Sequence, residues 1–117
     1  MLVCGTGIDI IEIKRIKNSL QKNKKLTEKI FTPEEITYCQ TKKNRWQHFA
    51  VRFAAKEAVV KALGNRAVNL KNISISNKHN GQPTVILGGS LKPFQERLIV
   101  SLSHCKDYAV AQAILLK

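Results

Sequence analysis

The feature that most constrains the fold is a 20-residue stretch, RWQHFAVRFAAKEAVVKALG, at residues 45–64. Its apolar side chains recur at helical spacing, which predicts a long amphipathic helix. Glu57 lies beside the apolar stripe of this helix, and Gly64 is placed to end it. A row of small residues at intervals of four would let another element pack closely against the helix. The members of that row are Ala50, Ala54, Ala58 and Ala62.

The other segments predict further helices and antiparallel strands. Residues 2–8 predict a strand, and residues 11–29 predict a basic helix with a break allowed near residues 22–24. Thr32, followed by Pro33 and Glu35, marks the start of a helix that ends near residue 40. Strands are predicted at about 72–77, 84–87, 98–104 and 108–116, with a helix or turn near 90–95. Hairpins dominate the end of the chain, so we expect an α+β fold in a single domain over residues 1–117.

The first strand carries one carboxylate among apolar neighbours. Gly5, Gly7 and Asp9 share one face of this strand, and glycines leave the backbone open to close approach. Asp9, expected at the end of the strand, and Glu57 on the long helix would together supply oxygen ligands for a divalent metal. Two simpler interpretations stay open. Asp9 would serve as the N-cap of the next helix, or Glu57 would pair with Lys61 one turn later.

Two other features admit both a functional and a structural interpretation. His104 ends a predicted strand, where it would act as an acid, a base or a phosphate ligand, or simply cap the hairpin turn. The helix between Lys14 and Lys29 is strongly basic, and Glu28 is its only acid. Such a face is either solvated or a binding surface for an acidic partner.

Composition narrows the possible partners and the cellular location. The chain has 20 Lys and Arg against 8 Asp and Glu, a net charge of +12. That charge attracts nucleic acid, anionic membranes, acidic proteins or phosphorylated small molecules. We expect no membrane span and no secretory signal, because neither an apolar run near 18 residues nor a signal pattern is present. Three widely spaced cysteines predict reduced, buried or inert thiols and a cytoplasmic location.

Five strings of the sequence resemble bacterial holo-acyl-carrier-protein synthases, the small stand-alone phosphopantetheinyl transferases. The strings are GTGIDIIEIKRI, FTPEE, RFAAKEAVVKALG, NGQP and SLSHCKDYAVAQA, and they span almost the whole chain in the family's order. The resemblance implies the phosphopantetheinyl transferase fold, with an antiparallel sheet packed on a long central helix. It also implies transfer of 4′-phosphopantetheine from coenzyme A to a serine of apo acyl carrier protein, with release of adenosine 3′,5′-bisphosphate, in fatty acid biosynthesis.

The same resemblance implies roles for individual residues in the reaction. Asp9 and Glu57 would bind Mg²⁺, and Lys61 would contact the phosphate and stabilise the departing group. Either Glu57 or a water on the metal would accept the serine proton. Gly5 and Gly7 are interpreted as clearing space for the metal and the pyrophosphate. The residues implied to contact coenzyme A are Arg52, Lys61, His104 and, at the adenine end, Pro83.

The resemblance also implies partners for the chain. The acidic carrier protein would dock on the basic helix, and neither nucleic acid nor membrane is implied. The family forms trimers with the site at a subunit interface, so the alanine row would pack within or between subunits. The residues that match the carrier-docking face are Arg15, Lys22, Lys25, Leu26 and Lys29.

Two other classes of function compete with this hypothesis. A small RNA-binding module would explain the charge, but the sequence lacks an aromatic RNP-type strand, a Gly-x-x-Gly clamp and a zinc knuckle. A scaffold that binds an acidic protein without catalysis would need neither Asp9 nor Glu57. Metal-assisted transfer would need both carboxylates, so these two residues discriminate between the hypotheses.

Overall fold

The computed structural model describes residues 2–117 as an α+β arrangement, which confirms the predicted fold class. Short 3₁₀ segments lie at Leu70–Asn72 and Gly89–Arg97. Across residues 2–117, no helix combines the length and the apolar character that crossing a bilayer requires. The helices are α1 (Ile13–Lys22), α2 (Lys24–Ile30), α3 (Pro33–Gln40) and α4 (Arg45–Ala62). The strands are β1 (Val3–Glu12), β2 (Ile73–Asn77), β3 (Pro83–Leu87), β4 (Leu98–His104) and β5 (Tyr108–Leu116).

The strands form two antiparallel sheets, and α4 packs against the larger one. The larger sheet has the order β1-β5-β4, and β2 pairs with β3 in the smaller sheet. All four alanines of the row on α4 are buried within this chain. Ala58 and Ala62 share a core cluster with Ala111 and Ala113 of β5. The alanine row therefore serves packing within the chain, which answers the question that the sequence left open.

Gly5 and Gly7 lie where β1 crosses α4, and the interpretation that they make room for a ligand is wrong. A Cβ atom added at Gly5 would overlap the carbonyl oxygen of Ala62. At Gly7 it would overlap the carbonyl oxygen of Ala58. The expected close approach does occur, but the partner is the helix backbone. Glycine and alanine together let the strand and the helix touch backbone to backbone.

The first strand is longer than predicted, and this changes the position of Asp9. β1 continues to Glu12, which lies opposite Tyr108, so Asp9 is in the middle of the strand opposite Ala111. Pairing with β5 holds residues 9–12 extended, although their local sequence also suits a helix start. Glu12, not Asp9, occupies the N-cap position of α1, and its side chain makes no capping hydrogen bond. The N-cap interpretation of Asp9 is therefore wrong.

The helices follow the sequence signals closely. Asn23 separates α1 from α2, at the break that the sequence allowed near residues 22–24. Thr32 and Glu35 form the predicted reciprocal capping box at the start of α3. The α1 helix buries Ile13, Ile16 and Leu20, whereas α2 contains no fully buried residue. The apolar contribution of α2 to the core comes from Leu26 and Ile30, which are only partly buried.

The outer face of the larger sheet is apolar and exposed in the single chain. Ile8 and Ile10 of β1 are 61% and 66% exposed, and Ile99 of β4 is 51% exposed. These side chains alternate with residues that face α4, as strand geometry requires. An exposed apolar face of this kind usually marks a surface that another chain covers.

The cysteines only partly match the expectation of buried or inert thiols. All three are free; Cys39 is buried, whereas Cys4 and Cys105 are exposed. Burial raises the pKa of the Cys39 thiol to about 12, so this thiol stays protonated and unreactive.

Candidate active site

The two predicted carboxylates lie on β1 and α4, whose backbones are in direct contact at Gly5 and Gly7. Asp9 follows Gly7 on the same face of β1, the face that meets α4. Glu57 precedes Ala58, whose carbonyl lies against Gly7. Strand and helix thus carry Asp9 and Glu57 to the same side of the molecule, where both line one cavity.

Lys61 completes this group of charged side chains. Its Nζ donates a hydrogen bond of 2.8 Å to the carbonyl oxygen of Ile8 and lies 3.4 Å from Oδ1 of Asp9. The ion pairs of residues 2–117 include Lys61 with Asp9, and none joins Lys61 to Glu57. The interpretation of Glu57 as the partner of Lys61 in a simple helical pair is therefore wrong. The lysine instead contacts β1, at the carbonyl oxygen of Ile8 and the carboxylate of Asp9.

The electrostatics of the pair favour a cation. Partial burial raises the pKa of Glu57, the negative charge of Asp9 raises this pKa further, and Lys61 offsets part of the shift. The two carboxylates thus repel each other when both are ionised. Residues 2–117 contain no cluster of three or more His, Cys, Asp or Glu side chains arranged to hold a metal ion. A pair of carboxylates with free space beside it matches how Mg²⁺ binds, through one or two carboxylates plus water and phosphate oxygens.

The cavity beside the pair, which we call the α1–α4 cavity, has a volume of about 460 Å³. Asp9, Glu12 and Glu57 supply its acidic part, and Arg15 supplies a positive charge. Most of its remaining wall is apolar and comes from α1, α2 and α4. The apolar residues of the wall include Ile16, Leu20, Leu26, Ile30 and Phe53.

The other residues implied to contact coenzyme A lie elsewhere in the chain. Arg52 is only 3% exposed; its Nη2 donates a 2.9 Å hydrogen bond to Oδ1 of Asn77, and its guanidinium lies over the ring of Tyr38. Within residues 2–117, Nε of Arg52 has no hydrogen-bond partner. Pro83 lies opposite Asn77 at the start of β3, and His104 is exposed at the end of β4.

Arg52 and Glu57 belong to different faces of α4. They are five residues apart, which separates their side chains by about 140° around the helix axis. Arg52 lines a second cavity of about 550 Å³, and neither Asp9 nor Glu57 contributes to its wall. One copy of the chain therefore brings Asp9, Glu57 and Lys61 together but does not add Arg52 to them.

The residues predicted to dock a carrier protein form a solvent-facing surface on α1 and α2. The four basic side chains are exposed, and Leu26 is half-buried at the edge of the α1–α4 cavity. The docking face thus borders the cavity that holds the carboxylates. The basic members are Arg15, Lys22, Lys25 and Lys29.

Sequence reasoning missed a buried ion pair next to the candidate site. Lys56 is 0% exposed, and its Nζ lies 2.6 Å from Oε1 of Glu35. The burial of Lys56 could have been predicted from its position, because it falls three residues after Phe53 and four before Val60, on the buried side of the helix. The partner was not readable, since Glu35 lies on another helix.

Comparison with known proteins identifies the class of protein that this fold and site define. A profile described as the 4′-phosphopantetheinyl transferase superfamily matches residues 5–113. The chain therefore belongs to this superfamily. A curated holo-[acyl-carrier-protein] synthase of Clostridium acetobutylicum is 41% identical over 121 residues, covering 97% of this chain and 98% of that protein. The predicted resemblance and the predicted enzyme class are thus confirmed.

Solved structures agree with this assignment. The holo-[acyl-carrier-protein] synthase of Neisseria meningitidis superposes with a TM-score of 0.90 at 30% identity, covering 99% of this chain and 100% of that one. A Bacillus anthracis holo-(acyl-carrier-protein) synthase, described as a complex with CoA (3′,5′-ADP), gives a TM-score of 0.83 at 36% identity. That match covers 98% of this chain and 97% of the other. Membership of a transferase superfamily favours the enzyme over the RNA-binding and scaffold hypotheses.

Proposed function

We propose that this protein transfers the 4′-phosphopantetheine group of coenzyme A to a serine of apo acyl carrier protein, in a Mg²⁺-dependent step of fatty acid biosynthesis. Adenosine 3′,5′-bisphosphate is the second product. The names of the relatives and the coenzyme A complex of the Bacillus anthracis relative support the proposal. The observation that carries it is the group of Asp9, Glu57 and Lys61 beside the α1–α4 cavity.

The chemistry of each side chain in the group suggests its role in the transfer. Asp9 and Glu57 would hold Mg²⁺, which would neutralise the charge that grows on the leaving phosphate. Lys61 would contact the transferred phosphate, since its side chain is 44% exposed and its Nζ already lies near Asp9. Either Glu57, whose carboxylate lines the cavity beside Asp9, or a water on the metal would accept the serine proton. The nucleophilic serine belongs to the carrier protein.

The proposed function is tested by incubating the protein with coenzyme A, Mg²⁺ and an apo acyl carrier protein, and then measuring the mass of the carrier. We expect a carrier that gains one phosphopantetheine group, and no gain when a chelator removes the divalent metal. A carrier of unchanged mass in the presence of Mg²⁺, at both low and high salt, would contradict the proposal.

We propose that the complete coenzyme A site forms between two copies of the chain in a homotrimer. Arg52, Pro83 and His104 of one copy would face the carboxylate group of the next. Two observations support this arrangement: Arg52 and Glu57 line different cavities, and the outer face of the larger sheet exposes Ile8 and Ile10. A closed trimer would cover that apolar face and bring Arg52 and His104 of one copy to the carboxylate group of the next.

A mixing experiment tests the shared site. We expect Asp9→Asn and His104→Ala each to be nearly inactive alone, because each removes one half of every site. Co-expressed in equal amounts, they should regain activity at about a quarter of the sites, since random assembly pairs two intact halves that often. The measurement is carrier modification by the purified mixed trimers.

The matched control for this experiment co-expresses Asp9→Asn with Glu57→Gln. Both changes lie in the same half of the site, so no random assembly restores a complete one. Recovery in this control, or a monomeric mass in solution together with full wild-type activity, would refute the shared site.

We further propose that the acidic carrier protein docks on the exposed basic face of α1 and α2. Arg15 also lines the α1–α4 cavity, so a carrier held on this face would present its serine close to Asp9 and Glu57. Opposite charges would speed the encounter and fix its register, and salt would weaken it. Leu26 supplies a half-buried apolar contact where this face borders the α1–α4 cavity.

Reversing two charges of this face tests the docking proposal. In the double variant Arg15→Glu/Lys25→Glu, we expect the KM for the carrier to rise about 10- to 100-fold, because like charges would then face each other. The KM for coenzyme A should stay near the wild-type value. Steady-state kinetics at low and moderate salt measures both constants. The control is Lys92→Glu, an exposed charge reversal outside α1 and α2, and an equal loss in this control would exclude a specific docking face.

We also infer a cytoplasmic location for the enzyme. Cys4 and Cys105 are exposed and free, and exposed thiols stay reduced most readily in a reducing compartment.

A further inference from the structure

The buried ion pair of Lys56 and Glu35 connects α4, which carries Glu57, to the end of α2, which carries part of the proposed docking surface. Lys56 immediately precedes Glu57 on α4, but its side chain points into the protein and is fully buried. Its Nζ donates to Oε1 of Glu35 at 2.6 Å, to the carbonyl oxygen of Ile30 at 2.8 Å and to that of Leu70 at 3.1 Å. An ammonium group has three donors, so every donor of Lys56 is used.

Glu35 extends these contacts to two more segments. Its Oε1 also accepts a 2.9 Å hydrogen bond from the backbone N–H of Thr32, within the capping box of α3. Its Oε2 accepts a 2.9 Å bond from the backbone N–H of Ile75 on β2. The pair thus joins α4 to the end of α2, the start of α3, the 3₁₀ segment at Leu70–Asn72 and β2.

The hydrogen bond from Nζ of Lys56 to the carbonyl oxygen of Ile30 contacts the C-terminal end of α2. Ile30 is the last residue of α2, and carbonyls at the end of a helix lack partners within the helix. A cation at this end also interacts favourably with the helix dipole. Leu26 and Ile30 pack on the core but are only partly buried, and this bond adds a polar contact that ties α2 to α4.

We propose that Lys56 is a positioning residue that fixes α2 against α4 and thereby sets the distance from the carrier-docking face to the Asp9–Glu57 pair. This inference rests on the proposed function. Lys25, Leu26 and Lys29 all belong to α2, so a shift of α2 moves the docked carrier. Glu57 is held separately by the packing of α4 on β1. Loss of Lys56 should therefore raise the KM for the carrier more than the KM for coenzyme A.

The test is steady-state kinetics of Lys56→Met with each substrate varied in turn. Methionine keeps the length of the side chain but loses all three donors. We expect the KM for the carrier to rise about tenfold, whereas the KM for coenzyme A stays within about twofold of the wild-type value. Because a buried carboxylate is left without its partner, the variant will be less stable, and assays should run at low temperature with the fold checked by circular dichroism.

Two matched controls separate positioning from general destabilisation. Glu35→Gln removes the charge pair but leaves Lys56 able to bond to Ile30, so its KM for the carrier should stay near that of the wild type. Leu91→Ala removes a core side chain that is 1% exposed and lies outside α2 and α4, so it destabilises the fold without releasing α2. A rise in carrier KM as large in either control as in Lys56→Met would overturn the inference.

A second variant and a second readout cover the case in which Lys56→Met does not fold. Lys56→Gln is neutral and one atom shorter, but it keeps a donor for Glu35. We expect amide hydrogen exchange in this variant to accelerate in residues 26–31 and to stay near wild type in α4. Unchanged exchange at the end of α2, or equal acceleration in all helices, would count against the positioning role. Absence of carrier modification by the wild-type protein would instead reject the proposed function, so the two failures are distinguishable.

Discussion

Replacing Asp9 by asparagine should lower the rate of carrier modification by on the order of 10³-fold or more. Asparagine keeps the shape of the side chain but removes the charge that a divalent cation requires. Metal ligation contributes several kcal/mol to stabilising the transition state, and each 1.36 kcal/mol corresponds to a factor of ten in rate. Glu57→Gln should cause a loss of similar size, because both carboxylates belong to the same site. The measurement is the initial rate of carrier modification at saturating coenzyme A and Mg²⁺.

The fold should survive these changes, and this separates a lost ligand from a lost structure. Burial and the negative charge of Asp9 both raise the pKa of Glu57, so removing either charge relieves part of this cost. The ion pair that Asp9 makes with the partly exposed Lys61 contributes little to stability. The free energy of unfolding without metal should therefore stay the same or rise. Asp107→Asn, at an exposed turn, is the matched control and should keep full activity. Wild-type turnover by Asp9→Asn would remove the basis of the metal assignment.

The Gly7→Ala variant should lose stability by about 3 kcal/mol or more. The added methyl group would overlap the carbonyl oxygen of Ala58 and come within 2.9 Å of the backbone nitrogen of Ala62. Both atoms belong to helix backbone that side-chain rotation cannot move, so β1 would have to shift away from α4. Domains of this size are stable by only about 5–15 kcal/mol, so the loss is a large share of the total. Urea denaturation followed by circular dichroism measures it.

Gly88→Ala is the matched control for this prediction. Gly88 has a φ of −121°, which any residue adopts, and an added Cβ would meet only Oδ1 of Asn72 at 3.5 Å. Its effect on stability should stay within about 0.5 kcal/mol. If Gly7→Ala proved as mild as Gly88→Ala, the backbone contact between β1 and α4 would not be as close as described.

Much of the fold could be predicted from local signals. The helix over residues 45–64, the capping box at Thr32 and the strands at the end of the chain all appear within a few residues of their predicted bounds. In each case the signal lies in neighbouring residues, as an apolar stripe, a capping pattern or a turn. The sequence also indicates Asp9 and Glu57 as a carboxylate pair, and the family resemblance adds Lys61. The structure places the three side chains close together.

The errors arose where a distant part of the chain decides the outcome. Residues 9–12 suit either a helix start or a strand, and pairing with β5 decides for the strand. The glycines of β1 indicated close approach, but only the fold reveals that α4 is the partner. Lys56 occupies a buried helix position, yet its burial depends on Glu35, which lies 21 residues away in sequence.

The backbone contact between β1 and α4 also bears on how freely the rest of the chain can vary. The two carboxylates lie on β1 and α4, whose backbones touch directly, so no flexible loop determines the distance between them. Insertions or deletions in the surface loops at residues 64–69 and 78–82 would leave that spacing intact. The chemistry proposed for the two carboxylates would therefore tolerate changes of length in these loops.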